Sequence, residues 1–132
     1  MTLRERQDQF IDEMAMFDNW TDRFNCLISL ADELPEYFPE YLRPYRIEGC
    51  QSNTCFLPRI TGDMLYVTGW SNSAVMGGII VTVTVIFNFT TKKEFRNTDI
   101  DFHIKSRLID NLTPMRRAAL EEIIRRITVL FR

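Results

Sequence analysis

The stretch Ile79-Ile80-Val81-Thr82-Val83-Thr84-Val85-Ile86-Phe87-Asn88-Phe89 is where the fold is decided, because two secondary structures compete for it. Ile79, Val81, Val83, Val85 and Phe87 alternate with Ile80, Thr82, Thr84 and Ile86, the pattern of a buried strand rich in β-branched side chains. A helix is the rival reading. It takes side-chain freedom from the β-branched residues, yet propensity is a weak prior that packing overrides. In either conformation Ile80, Val83 and Phe87 are expected to pack in the core.

Just upstream, Cys55-Phe56-Leu57-Pro58-Arg59-Ile60 and Met64-Leu65-Tyr66-Val67-Thr68 flank Thr61-Gly62-Asp63, which predicts a hairpin closed by a short turn. Pro58 has no amide donor and so belongs at an edge or a strand irregularity. Residues 69–73 read as a loop. Toward the N-terminus, Phe10, Ile11, Met14 and Phe17 repeat at helical spacing, and Phe24, Leu27, Ile28, Ala31 and Leu34 repeat on a second helix. Pro35, Pro39 and Pro44 interrupt regular helix, so residues 36–48 read as an extended connection.

The C-terminal segment is the plainest. Thr113 serves as an N-cap with Pro114 at the first helical position, and Leu120, Ile123, Ile124, Ile127, Leu130 and Phe131 form an apolar stripe. Glu121-Arg125 and Glu122-Arg126 have the spacing of i,i+4 ion pairs. Arg107 and Leu108 fall in a further helical segment before a turn at Asp110-Asn111. The whole reads as α+β, a single domain over residues 1–132 in which a small antiparallel β-sheet packs against several helices.

A chain of 132 residues that is 45% hydrophobic and 26% charged is large enough for a real core and too ordered in composition for a disordered protein. Net charge is only −2, but residues 1–48 hold eleven acids against five Arg/Lys, and residues 49–132 hold seven against eleven. That asymmetry suits orientation of a protein partner. It offers neither half a basic surface strong enough to make nucleic acid a partner. The start lacks a signal peptide's apolar segment and the most apolar run is too short to span a bilayer, so no membrane association and a cytoplasmic location are expected.

Cys26, Cys50 and Cys55 cannot pair completely, and their spacing matches neither a zinc ribbon nor a CxxC motif; a reducing compartment is expected, and no metal site. Cys26, beside Leu27 on the second helical stripe, reads as structural. Cys50 differs because Gly49-Cys50-Gln51-Ser52-Asn53 sets a thiol among small and polar residues between apolar segments. Composition leaves open both a partly buried structural thiol and an exposed reactive one. His103 titrates near neutral pH in principle, but nothing in its surroundings nominates it for catalysis.

Gly49-Cys50-Gln51-Ser52-Asn53-Thr54-Cys55-Phe56 resembles the GCQS segment of the SufE family. Phe17, Asp18, Asn19, Trp20, Asp22 and Arg23 resemble that family's acidic-tryptophan opening, and Leu30-Ala31-Asp32-Glu33-Leu34-Pro35 its helix-ending GDELP pattern. Leu112-Thr113-Pro114-Met115-Arg116-Arg117-Ala118-Ala119-Leu120 resembles its LTPSR…GL segment in order and spacing. The matches run over nearly the whole chain, and the family segment corresponding to residues 79–89 resembles a buried helix, so helix is the expectation there.

The resemblance implies an accessory sulfur acceptor. Cys50 would take persulfide sulfur from a cysteine desulfurase, stimulate its turnover, and deliver the sulfur to an Fe-S scaffold complex for cluster assembly. The pyridoxal phosphate (PLP) resides in the partner, with no cofactor bound stably here beyond a transient persulfide on Cys50. Gly49, Gln51, Ser52 and Arg116 are implied as its sulfur-transfer environment. The backbone freedom of Gly49, with Phe56 and Leu57 anchoring the far side, predicts a loop that rests against the domain when free and extends when bound. Cys55 stands where the family often has tryptophan, Asn72 where it often has an acid, and Gly77 where it often has lysine. These departures keep open a noncatalytic desulfurase-binding adaptor; a direct iron or zinc scaffold would need ligands that the three cysteines and one histidine do not supply.

Overall fold

The computed structural model describes residues 1–50 and 52–131, and residues 79–87 are helix. Helix α1 (Leu3–Ala15) and helix α2 (Trp20–Leu30) lead, through a 3-10 turn at Ala31–Glu33 and a second at Glu40–Tyr45, to strands β1 (Thr54–Thr61) and β2 (Met64–Ser71). Helix α3 (Ala74–Phe87), short helices α4 (Lys92–Arg96) and α5 (Phe102–Lys105), a 3-10 turn at Ile109–Asn111 and helix α6 (Pro114–Leu130) complete an α+β architecture.

Helix α3 wins over strand because it is enclosed over most of its surface, with only Ala74 and Val85 exposed. The hairpin lies against one flank and α2 and α1 against others, leaving Ile79, Ile80, Val83 and Phe87 fully buried. Because the exposed positions, Ala74 and Val85, are apolar too, the helix has no polar face and its residues lose the 3.6 period by which helices are recognised. Ser73 caps it by accepting from the Met76 amide, and Thr82 and Thr84 return their hydroxyls to the Gly78 and Ile80 carbonyls at 2.9 and 2.8 Å. The threonines that looked like strand alternation thus satisfy themselves within the helix. Gly77 and Gly78 let α2 approach closely: a Cβ on Gly78 would overlap the Leu27 carbonyl, and one on Gly77 would stand 2.9 Å from Ala31 Cβ.

The hairpin is antiparallel and pairs Thr61 with Met64, leaving Gly62 and Asp63 as a two-residue loop with Gly62 at φ +63. A positive φ at the first loop residue alone is the type II′ geometry that matches strand twist. The same register continues to Thr54 opposite Ser71. Residues 69–71, expected as loop, are therefore strand, because Gly69 leaves room for Ile80 beneath the sheet and Trp70 inserts its ring against Phe38 and donates to the Pro35 carbonyl at 2.8 Å. Pro58 pairs with Val67 on β1, whose far side carries only an isolated bridge from Arg46 to Cys55, the partly open edge that suits proline.

Three other expectations need correction. Arg107 and Leu108, expected in a helix, fall between α5 and the 3-10 turn at Ile109–Asn111, with Arg107 left-handed at φ +65. The 36–48 connection is not wholly extended, since Glu40–Tyr45 forms a 3-10 turn that buries Leu42 against Cys55 and Trp70. On α6, Glu121 makes no pair with Arg125; Glu122 instead receives both Arg125 at 2.7 Å and Arg126 at 3.0 Å. Arg126 also donates to the Tyr45, Phe56 and Arg46 carbonyls, pinning α6 to β1 and the preceding turn.

The Arg125 hydrogen bond, opposed by partial burial and helped by Arg126, pulls the Glu122 carboxyl from its ordinary 4.5 to about 2. A depressed carboxylate contributes stability that is complete above its unfolded value and is lost as pH falls through its folded one. The Glu122→Gln variant is therefore expected to be less stable than wild type at pH 7 by on the order of 1–2 kcal/mol, after discounting for solvent screening. That gap should close between pH 4.5 and about 2, as read from urea unfolding at each pH. A gap that stayed constant over this window would show that the carboxylate charge is not what holds the arginines.

Candidate functional site

Cys50 lies at the open end of the hairpin, where the chain enters β1. Gly49 precedes it at φ +78 with nothing within 4 Å of the place a Cβ would take. Glycine is needed there for the left-handed turn rather than for close approach. The Cys50 side chain is half-buried and packs on the main core instead of projecting into solvent. Its sulfur meets Ser52 Oγ at 3.1 Å and Thr54 Oγ1 at 3.7 Å. Asn72 holds the other side of the loop, accepting from the Asn53 amide at 2.9 Å and donating its own amide to the Asn53 carbonyl at 3.2 Å.

A cleft of about 670 Å³ opens over the sulfur, lined by Cys50, Ser52, Asn72, Ser73 and the residues from Thr113 to Arg116. The N-termini of α3 and α6 both border it, at Ser73 and Thr113. Each brings the positive end of a helix dipole toward the thiol. Arg116 adds a full positive charge from the first turn of α6.

These surroundings separate the three thiols. Burial pushes Cys50 up, but hydrogen bonds from the Ser52 and Thr54 side chains and the Ser52 backbone, with the charge of Arg116, outweigh it and leave the thiol below its ordinary value. Cys26 is raised by burial and by Glu13. Cys55 is raised by burial against the opposing charges of Arg46, Arg126 and Arg43. Because the thiolate is the nucleophile, these directions favour Cys50 over Cys26 and Cys55 as a nucleophile. Cys55 cannot serve it from the neighbouring strand position: successive side chains face opposite ways, Thr54 toward Cys50 and Cys55 into the separate cluster of Leu42 and Trp70.

Of the residues singled out in the sequence, Cys50, Ser52 and Arg116 come together at the cleft, Gly49 shapes the approach, and Gln51 lies outside the described residues. Asn72 acts as a loop clamp, giving a neutral oxygen where a carboxylate would oppose charge on sulfur. Gly77 is buried against Ala31, a position with no room for a lysine chain. His103 is remote from the cleft lining; burial pushes its imidazole down against Asp101 and Glu121. Thr54 was missed and Ser71 was read as loop, though a two-residue turn at 62–63, extended in register, sets these two hydroxyls directly opposite one another.

Among the described residues no group of three or more His, Cys, Asp and Glu side chains gathers to hold a metal ion, and no helix is long and apolar enough to cross a membrane. The fold and cleft define a small α+β protein with a half-buried thiol, held below its ordinary value, at the edge of a cleft. Residues 8–130 match the model of the SufE family, described as an Fe-S metabolism associated domain. The chain is also 34% identical over 127 residues to an uncharacterized SufE-like protein of Rhizobium meliloti (strain 1021), covering 91% of this chain and 90% of the relative. This chain belongs to the SufE family. Membership carries a general role in sulfur transfer, accessory to a desulfurase rather than the desulfurase itself, and a connection to Fe-S assembly.

Proposed function

We propose that the domain formed by residues 1–132 accepts persulfide sulfur on Cys50 from a cysteine desulfurase, speeds that enzyme's turnover by clearing its sulfur, and passes the sulfur to an Fe-S scaffold complex. The observation that carries this reading is the setting of Cys50: one thiol held below its ordinary pKa by hydroxyls and Arg116 at a cleft bordered by two helix N-termini. In the transfer, the Cys50 thiolate attacks the outer sulfur of the desulfurase persulfide. The new S–S bond forms on Cys50 as the old one breaks, and the desulfurase cysteine leaves as thiolate, so no external oxidant or reductant is consumed.

The negative charge then sits on the terminal sulfur, where Arg116 and the two helix N-termini oppose it. PLP chemistry, the cleavage of the cysteine C–S bond, stays in the partner. Cys50 rests half-buried, so an encounter with the partner's persulfide requires the Asn53–Asn72 hydrogen bonds to open and the loop to swing about Gly49. Gly77 supports this carrier over a noncatalytic adaptor, since the glycine at that position answers to Ala31 packing rather than to a lost catalytic base.

The test is reconstitution with a cysteine desulfurase and isotopically labelled cysteine, followed by mass mapping and hydrogen exchange. A labelled, thiol-reducible sulfur on the Cys50 peptide, faster exchange of the Asn53 amide in the complex, and onward transfer to a scaffold are expected. Binding and stimulation with no sulfur on Cys50 would overturn the carrier and leave the adaptor.

A further inference from the structure

Thr54 is fully buried and its single hydroxyl meets three others: Cys50 Sγ at 3.7 Å, Ser52 Oγ at 2.8 Å and Ser71 Oγ at 2.8 Å. Ser71 Oγ in turn accepts the Ser73 backbone N–H at 3.1 Å, at the cap of α3. The contacts make one continuous line from the first turn of a buried helix, through the end of the hairpin, to the sulfur.

A hydroxyl has one proton to give, and this settles the direction of the line once the sulfur is anionic. A thiolate cannot donate, so Ser52 turns its proton to Cys50. Ser52 then accepts from Thr54, which accepts from Ser71, which accepts from the Ser73 N–H. With Ser52 donating to sulfur, any other order sets two oxygen lone pairs against each other at 2.8 Å, and the fully reversed line turns the Ser52 oxygen toward the thiolate at 3.1 Å. When sulfur is protonated, its S–H instead donates to Thr54, and the hydroxyls are free to turn back.

We propose that Thr54 is a positioning residue for sulfur transfer, which aims the Ser52 hydroxyl at the Cys50 thiolate and, through Ser71, couples that sulfur to the N-terminus of α3. This rests on Cys50 being the sulfur acceptor. The relay depends on Thr54 and Ser71 standing opposite each other at the last rung of the hairpin, so a strand that supports the core also orients the reacting group. Aligned hydroxyls polarise one another in a buried chain, so the terminal one donates more strongly than an isolated serine at a cleft rim. Among the described residues, Arg116 is the charged group that faces Cys50 across the cleft from α6, while the β2–α3 corner presents the uncharged Asn72 and Ser73. Glu48, on the same segment as Cys50, does not line the cleft. The relay therefore adds to the effect of Arg116 and is separable from it.

The experiment is the pH profile of iodoacetamide alkylation at Cys50, read by mass on its own peptide, for wild type, Thr54→Val, Thr54→Ser and Ser71→Ala. Thr54→Val keeps the β-branched shape and removes the hydroxyl; its midpoint is expected to rise by about one pH unit, a roughly tenfold loss of thiolate below the midpoint. Thr54→Ser should restore the wild-type profile, and Ser71→Ala should shift it in the same direction by less. A mere packing role would alter melting temperature without moving the profile. Overlaid profiles for folded Thr54→Val and wild type overturn the relay. If Thr54→Val fails to fold, Ser71→Ala carries the test, and a profile matching wild type overturns the relay equally. Sulfur loading from the desulfurase, measured on the same proteins, keeps the two readings distinct. Loading of wild-type Cys50 with unmoved profiles defeats the relay alone, whereas shifted profiles without loading defeat the acceptor reading and with it any role in transfer.

Discussion

Gly78→Ala is expected to be the most damaging single-methyl addition in this protein, destabilising it by about 3 kcal/mol, the upper end of the usual range for overpacking. Two effects oppose each other. Replacing glycine by alanine within a helix ordinarily gains about 0.5–1 kcal/mol from reduced backbone freedom in the unfolded chain. Here the new methyl would collide with the backbone carbonyl of Leu27 in the last turn of α2, and a backbone atom moves only with its helix. Relief requires moving a whole helix away from fully buried Ile79, Ile80 and Val83. At Gly77 the same methyl would stand 2.9 Å from Ala31 Cβ, which moves only with its backbone, and 3.3 Å from the Leu34 side chain, which can yield, so Gly77→Ala should cost less than Gly78→Ala, about 2 kcal/mol. Urea unfolding of the two variants checks the order. Equal stability of Gly78→Ala and wild type would mean that α2 and α3 do not need their close contact.

This glycine pair also bears on what the sequence discloses. Helix α6 was legible because Thr113-Pro114 marks its start and because it lies on the surface, with its apolar stripe set against charged residues. Helix α3 was not legible from its own residues, since it is mostly buried and apolar even at exposed Val85, which erases the periodicity and leaves β-branched alternation as the strongest local signal. Resemblance of the flanking segments supplied the helix, and Gly77-Gly78 explains how it packs. Strand β2 was read three residues short because Gly69 and Ser71 look like loop residues. In the sheet, Gly69 makes room for Ile80, and Ser71 finds a hydroxyl partner in Thr54. The short α4 was missed for a related reason: its five residues carry no measurable stripe, and its position depends on partners distant in sequence, with Glu94 receiving the Leu3 amide. At the site, Cys50, Ser52 and Arg116 were legible by motif. The hydroxyl line behind them becomes visible only when strand register joins residues seventeen positions apart.

Cys50→Ser is expected to abolish desulfurase-dependent sulfur loading, lowering it by roughly a hundredfold or more, while Cys26→Ala and Cys55→Ala still load on Cys50. Serine preserves the size and hydrogen bonding of the side chain beside Ser52 and Thr54, so the loop and cleft should persist. It cannot hold a persulfide. The remaining thiols are poor substitutes for physical reasons that differ. Cys55 is fully buried among Leu42 and Trp70 on the opposite face of β1, and burial pushes its thiol up despite three nearby arginines. Cys26 is partly accessible, but burial and the Glu13 carboxylate both disfavour its thiolate. Any loss of stability in Cys55→Ala should lower the yield of folded protein and leave loading per folded molecule unchanged. Intact-mass analysis after incubation with a desulfurase and cysteine, before and after reduction, measures this as a one-sulfur increment on each variant. Wild-type loading by Cys50→Ser, mapped to Cys26 or Cys55, would remove Cys50 from the chemistry. Loss of loading in Cys55→Ala with Cys50 intact and the protein folded would instead assign the second cysteine an obligatory part, one that its burial on the far face of the strand argues against.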